Sequence, residues 1–162
     1  MSERLNTEVL IVGAGISGLL TAIELSKTFT VTILSKSNLK QCSTAWAQGG
    51  IAAVVDDKDH INNHVEDTLE NGHAICDVHS VQEIVKQGKK SIDLLSEYGV
   101  KFNKKGDAYD QTLEGGHSHR RIIYHNDNTG EEIHSALLRQ ANRIKNITIK
   151  ENMNLSIFFH QL

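Results

Sequence analysis

Val9-Leu10-Ile11-Val12 is an unbroken apolar run that stops at Gly13, the pattern of a short strand buried on both faces of a parallel sheet. Behind it the period changes. Leu19, Leu20 and Ile23, with the small Ala22, fall on one helical face that continues to about Lys27. Thr30-Val31-Thr32-Ile33-Leu34 is a second β-branched run, so strand, helix and strand follow within about 30 residues, the length of a βαβ unit.

Farther along, the signals are shorter. Cys42-Ser43-Thr44-Ala45-Trp46-Ala47-Gln48-Gly49-Gly50 is small and polar, suited to a loop or a short helix start, and Ile51-Ala52-Ala53-Val54-Val55 reads as a strand. Asp56-Asp57-Lys58-Asp59 reads as a solvated turn, followed by a helix over 61–71 that Gly72 stops. Ser80-Val81-Gln82-Glu83 has capping-box spacing, and Val81, Ile84, Val85, Ile92 and Leu95 repeat at helical spacing until Gly99. Thr129-Gly130-Glu131-Glu132 is a second candidate box, ahead of a helix with Ile133, Leu137, Leu138, Ala141 and Ile144 on one face. Ile147-Thr148-Ile149 and Leu155-Ser156-Ile157-Phe158-Phe159 are expected as strands, and no turn or capping signal follows the second. With no internal repeat and no linker rich in Gly, Ser or Pro, nothing marks a second complete domain. The fold class expected is α/β, a Rossmann-like dinucleotide-binding domain on a parallel sheet.

Composition narrows the field. An apolar share of 39% over 162 residues argues against global disorder and allows a real core. The charge is balanced, with 17 Lys and Arg against 20 Asp and Glu, and no basic run exceeds the pairs Lys89-Lys90, Lys104-Lys105 and Arg120-Arg121. That lacks the electrostatic footprint of a nucleic-acid binder. Cys42 and Cys76 are far apart without metal-type spacing, and no signal segment or membrane span is visible, so a reducing cytoplasm is the expected home. Proline is absent, which leaves glycine as the main punctuation.

The candidate chemistry begins at Gly13-Ala14-Gly15-Ile16-Ser17-Gly18, a GxGxxG between an apolar strand and an amphipathic helix. In that context the first Gly permits a tight turn, Gly15 lets the backbone approach a pyrophosphate, and Gly18 allows close helix–strand packing. The acidic residue that would hold a ribose after the second strand is missing, and Ser35-Lys36 stands there instead. Lys36 fits a 2′-phosphate of NADP, the adenosine end of FAD, or simple solvation, and the residues alone do not choose among them. Within 43–50, Ser43 and Thr44 offer hydroxyls and the Gly49-Gly50 pair offers backbone N–H groups, although an ordinary loop has the same composition. Glu114-Gly115-Gly116-His117-Ser118-His119-Arg120-Arg121 sets a carboxylate, two imidazoles and two guanidiniums around a glycine pair, a set able to hold a charged substrate. His117-x-His119 has no third ligand near it, so no metal is expected.

Together, VLIVGAGISGL, LSK, STAWAQGGIAAV, HVEDTLENG, ICD and EGGHSHRRI, in this order over residues 9–122, resemble the N-terminal part of the L-aspartate oxidase family, within the succinate dehydrogenase/fumarate reductase flavoprotein superfamily. The resemblance implies FAD, bound at Gly13, Ala14, Gly15, Ile16, Ser17 and Gly18, at Lys36, and along Ser43, Thr44, Ala45, Trp46, Ala47, Gln48, Gly49 and Gly50. Respiratory members of the superfamily carry a flavin-linked His where Ser43 stands, so the flavin is expected to be non-covalent. They carry an apolar residue where Glu114 stands, so Glu114 is expected to orient an amino-dicarboxylate by pairing with its ammonium. The reaction implied is oxidation of L-aspartate to iminoaspartate, with oxygen or fumarate as electron acceptor and a functional link to quinolinate synthase in NAD biosynthesis. Family members are several times longer. Residues 1–162 are therefore expected to be the first part of an FAD-binding domain, incomplete without its second half and a capping domain, and inactive alone. A non-catalytic dinucleotide-binding module and a fumarate reductase-like flavoprotein are the alternatives.

Overall fold

The alternation of apolar runs and helical faces is realised in a computed structural model that describes residues 6–155. Its elements are, in order, β1 (Val9–Val12), α1 (Ile16–Leu25), β2 (Val31–Leu34), α2 (Ser43–Trp46), β3 (Ile51–Ala52), α3 (Ile61–Asn71), α4 (Val78–Lys86), α5 (Gly88–Glu97), β4 (Lys104–Lys105), β5 (Ala108–Tyr109), β6 (Gln111–Thr112), β7 (Ile122–Ile123), α6 (Thr129–Ala141) and β8 (Ile147–Lys150). They divide into two units, Met1–Trp46 with Ile133–Leu162, and Ala47–Glu132.

In the first unit, β1, β2 and β8 form a parallel sheet with β2 in the middle, Val9 opposite Val31 and Val31 opposite Ile147. Helix α1 closes the βαβ crossover and buries Leu19, Ala22 and Ile23, while α6 buries Ile133, Ala136, Leu137 and Ala141. Each full burial of a large aliphatic side chain is worth about 1.5–3 kcal/mol, so these helices are held by their apolar faces more than by their caps. Strand β2 is buried as expected, but β1 is not. Its residues alternate between half-buried and exposed, with Leu10 48% and Val12 60% exposed, because β1 is the sheet's edge and only one of its faces is covered among the described residues. The strand expected over 155–159 lies, beyond Leu155, outside the described residues.

The second unit is built from short pieces. Strands β3, β7 and β6 pair antiparallel in that order, and β4 with β5 makes a hairpin. Val65, Val81 and Val85 form a cluster against Ile61, Leu69 and Cys76, bringing α3 and α4 together. Three expectations are corrected here. The strand after Gly50 spans only Ile51–Ala52. The helical pattern up to Gly99 is two helices broken at Gln87, and the first is capped by the Asp77 side chain, which accepts the Ser80 N–H, instead of by a box starting at Ser80. The helix after the second candidate box starts at Thr129 itself, so Thr129 is its first residue instead of its cap; its hydroxyl accepts the His125 N–H, and the Glu132 carboxylate accepts the Lys101 N–H. No helix among the described residues is long and apolar enough to cross a membrane.

Candidate cofactor site and substrate loop

The turn from β1 into α1 places residues 13–18. Gly13 has φ +112°, which a side chain would strain, and its N–H donates to Leu34 O at 2.8 Å, tying the turn to the end of β2. A Cβ on Gly18 would stand 2.0 Å from the Gly13 carbonyl oxygen, so the helix starts against the turn at a separation only glycine permits. Gly15 is the N-cap of α1 and makes no side-chain cap bond. The Ile16 N–H donates to Thr44 Oγ1 at 3.1 Å, which brings α2 to the head of α1. Neither the Ala14 N–H nor the Gly15 N–H has a hydrogen-bond acceptor among the described residues. Ser17 is exposed on the first turn of α1.

A cavity of about 670 Å³ opens beside this turn, lined also by the end of β2 with Lys36, by Cys42, Ser43, Thr44 and Trp46, and by residues 153–155. Its volume suits a sizeable ligand. Donors without partners, an α-helix N-terminus and an exposed lysine on its walls make it fit for an anionic group, so the residues present match the dinucleotide expected of them. Thr44 is engaged as the acceptor for Ile16, Ala45 donates its N–H to Cys42 Sγ, and Trp46 is 70% exposed. The wall at 153–155 escaped sequence reasoning. It is drawn in by the Met153 N–H donating to Ser35 O at 2.9 Å, a contact between segments far apart in the chain.

Ala47, Gln48, Gly49 and Gly50 belong to the second unit. There, Gly50 packs against the Ile123 carbonyl, and the space of a Cβ on Gly49 lies 3.8 Å from both Glu114 carboxylate oxygens, so Glu114 sits directly beside the Gly49 backbone. The rest of the Glu114 loop differs from expectation. Arg121 is fully buried, donating from Nε and Nη2 to Asp59 at 2.6 and 3.1 Å and from Nη1 to Asp67 at 2.5 Å. Such a guanidinium holds the fold and is not free to grip a substrate, and Asp59, expected in a solvated turn, is buried beneath it with a side chain 3% exposed. Asp67 also accepts the Ser118 N–H and hydroxyl, each at 2.8 Å, and Asn71 donates to the Gly116 carbonyl at 2.8 Å. Helix α3 thereby fastens the loop at three points, leaving Glu114, Gly115 and Arg120 exposed.

The charges are tuned accordingly. Burial pushes the Asp67 carboxyl up, but the Ser118 N–H, the Arg121 guanidinium and the Ser118 hydroxyl outweigh it and bring the pKa down to about 2. Asp59 is likewise lowered, burial being overcome by Arg121 and the His60 N–H. His64, which packs edge-on against the His117 ring, is lowered by burial and then by the nearby Arg121 charge, and its Nδ1 is buried without a partner. Among the described residues no three His, Cys, Asp or Glu side chains are grouped to hold a metal ion.

A nucleotide-sized cavity at a glycine turn, in a βαβ unit, defines a dinucleotide-binding protein, and the chain belongs to the FAD binding domain family, whose model matches residues 8–158. Within that family it is similar to L-aspartate oxidases. It is 43% identical over 157 residues to that of Pseudomonas aeruginosa, covering 92% of this chain and 29% of the relative, and 42% identical over 153 residues to that of Yersinia pestis, covering 91% and 29%. The chain thus spans less than a third of the length of these relatives. Among solved structures, the Sdh1 complex of Mycobacterium smegmatis in the apo form superimposes with a TM-score of 0.84 at 25% identity, over 93% of this chain and 28% of that one. An FrdA chain of quinol fumarate reductase from E. coli gives 0.86 at 24% identity, over 93% and 26%, a likeness of fold. FAD is the cofactor of the family.

Proposed function

We propose that residues 1–162 form the first part of the FAD-binding domain of an L-aspartate oxidase, binding FAD non-covalently, and that oxidation of L-aspartate needs the second half of that domain and a capping domain in addition. The observation that carries this reading is the glycine turn with two unpartnered backbone donors on a large cavity, in a chain 43% identical to an L-aspartate oxidase. The N–H groups of Ala14 and Gly15, reinforced by the α1 dipole, receive the pyrophosphate. Lys36, Ser43, Thr44 and the Gly49-Gly50 backbone would be the further residues that hold the cofactor. FAD held there would supply the hydride acceptor for oxidation at Cα of the substrate. Glu114 pairs with the substrate ammonium, which selects aspartate over a plain dicarboxylate and fixes Cα for transfer. Oxygen or fumarate takes the electrons in turn, iminoaspartate passes to quinolinate formation, and the setting is the cytoplasm.

Two measurements test this. Acid precipitation of the FAD-loaded protein releases all flavin into the supernatant, since Ser43 offers no imidazole for a covalent link; flavin left in the pellet contradicts the reading. In a full-length oxidase carrying this segment, Glu114→Gln lowers kcat/KM for L-aspartate by on the order of 100-fold or more, the cost of stripping one partner from a desolvated ion pair, while fumarate reduction falls much less. Equal losses with both substrates defeat the role given to Glu114.

A further inference from the structure

His134 lies on α6, is 3% exposed, and brings its Nε2 to 3.0 Å from the carbonyl oxygen of Ala14, a residue 120 positions earlier and itself buried. A carbonyl only accepts, so Nε2 carries the proton and the imidazole is the donor. The Ala14 carbonyl belongs to the same planar peptide unit as the Gly15 N–H. In a trans peptide these two groups point in opposite directions, and no peptide bond among the described residues is cis. Whatever grips the carbonyl therefore sets the direction of the N–H. Glycine follows this peptide at position 15, so little else in the local backbone resists its rotation. The Gly15 N–H has no hydrogen-bond acceptor among the described residues, and Gly15 lines the cavity.

We propose that His134 is a positioning residue for the cofactor: by holding the Ala14 carbonyl it locks the Ala14–Gly15 peptide in the orientation that presents the Gly15 N–H to the cofactor pyrophosphate. The imidazole touches no part of the cofactor in this role and acts through the backbone. The inference rests on the FAD reading of the glycine turn, but the histidine–carbonyl bond is testable without flavin.

Three measurements on the purified chain decide it. Ring nitrogen NMR of the wild type shows a proton on His134 Nε2; a ring without a proton there overturns the proposal whatever the variants do. In His134→Leu, the amides of Ile16 and Leu19 exchange roughly tenfold faster while those of β2 do not, since losing a buried partner locally costs between about fivefold and a hundredfold. Equal acceleration in β2 marks a general loss of stability and overturns the positioning role. FAD titration followed by flavin fluorescence shows affinity about tenfold weaker in His134→Leu and close to wild type in His134→Gln, whose amide N–H replaces the ring donor. Unchanged affinity in the leucine variant refutes the proposal. A wild-type chain that takes up no FAD sinks the cofactor reading instead, and the ring-nitrogen and exchange results then decide the hold on Ala14 by themselves.

Discussion

The two units of this chain solve the same packing problem with different materials. The first hides aliphatic side chains from Leu19, Ile23, Val31 and Ile33 around a parallel sheet, and its chemistry lies in the backbone of the glycine turn. The second has strands of two residues and buries a charged residue at its centre, Arg121 with Asp59 and Asp67, and its candidate chemistry lies in the side chain of Glu114. Backbone chemistry needs only a rigid turn, which apolar packing supplies. Holding a long carboxylate in an exposed loop needs anchors on that loop, and the Arg121 cluster, Ser118 and Gly116 provide them through α3.

Breaking the second unit at its centre has the largest expected effect. Arg121→Met strands two carboxylates in a site built for a cation and costs about 3–5 kcal/mol, measured by chemical denaturation. Adding Asp59→Asn and Asp67→Asn to that variant returns part of the loss, because the unpaired charges and not the missing methylenes dominate it. If Arg121→Met unfolds at the wild-type denaturant concentration, the cluster is ornamental and the contrast between the units fails.

The corresponding break in the first unit is Gly18→Ala. The added carbon meets the Gly13 carbonyl, which is backbone and cannot swing aside, so the turn must deform at about 1–3 kcal/mol. Flavin affinity falls with it. Wild-type affinity in a folded Gly18→Ala protein would show that the turn's shape does not govern binding.

Lowering pH sharpens the comparison with a smaller effect. His64 has a folded pKa below its ordinary 6.5, so its contribution to stability is complete above that pH and declines as pH falls beneath it. Asp67, ordinarily 3.8 and here about 2, contributes fully above about pH 4 and loses that contribution as pH drops toward 2. Thermal melts are therefore expected to weaken in two stages, and in Arg121→Met the lower stage shrinks. Both groups lie in the second unit, so exchange protection in β2 responds less than protection in α3; a uniform response of both units counts against this assignment.

Much of the first unit was legible in the chain itself. An apolar run ending in glycine, a change of period from two to 3.6 and a second β-branched run are local patterns, and they placed β1, α1, β2 and β8 and the glycine turn between them. The ends of elements were read less well. Asp77 rather than Ser80 caps α4, and the helical pattern breaks at Gln87, because a capping side chain competes with whatever tertiary partner stands near. The exposure of β1 was misjudged because an apolar run records what a strand tolerates and not whether it ends as an edge.

What the sequence determined by itself is the class of fold, the glycine turn and the residue types offered to a cofactor and a substrate, since these depend on contacts within a few residues. Only the tertiary structure decided that Arg121 is a buried anchor instead of a substrate clamp, that the Asp59 side chain is buried against it from 62 residues away, and that His134 reaches back 120 residues to the Ala14 carbonyl. A guanidinium, a carboxylate or an imidazole carries the same chemistry whether it faces water or a partner. Which of the two it meets depends on chain segments that come together only when the whole core closes.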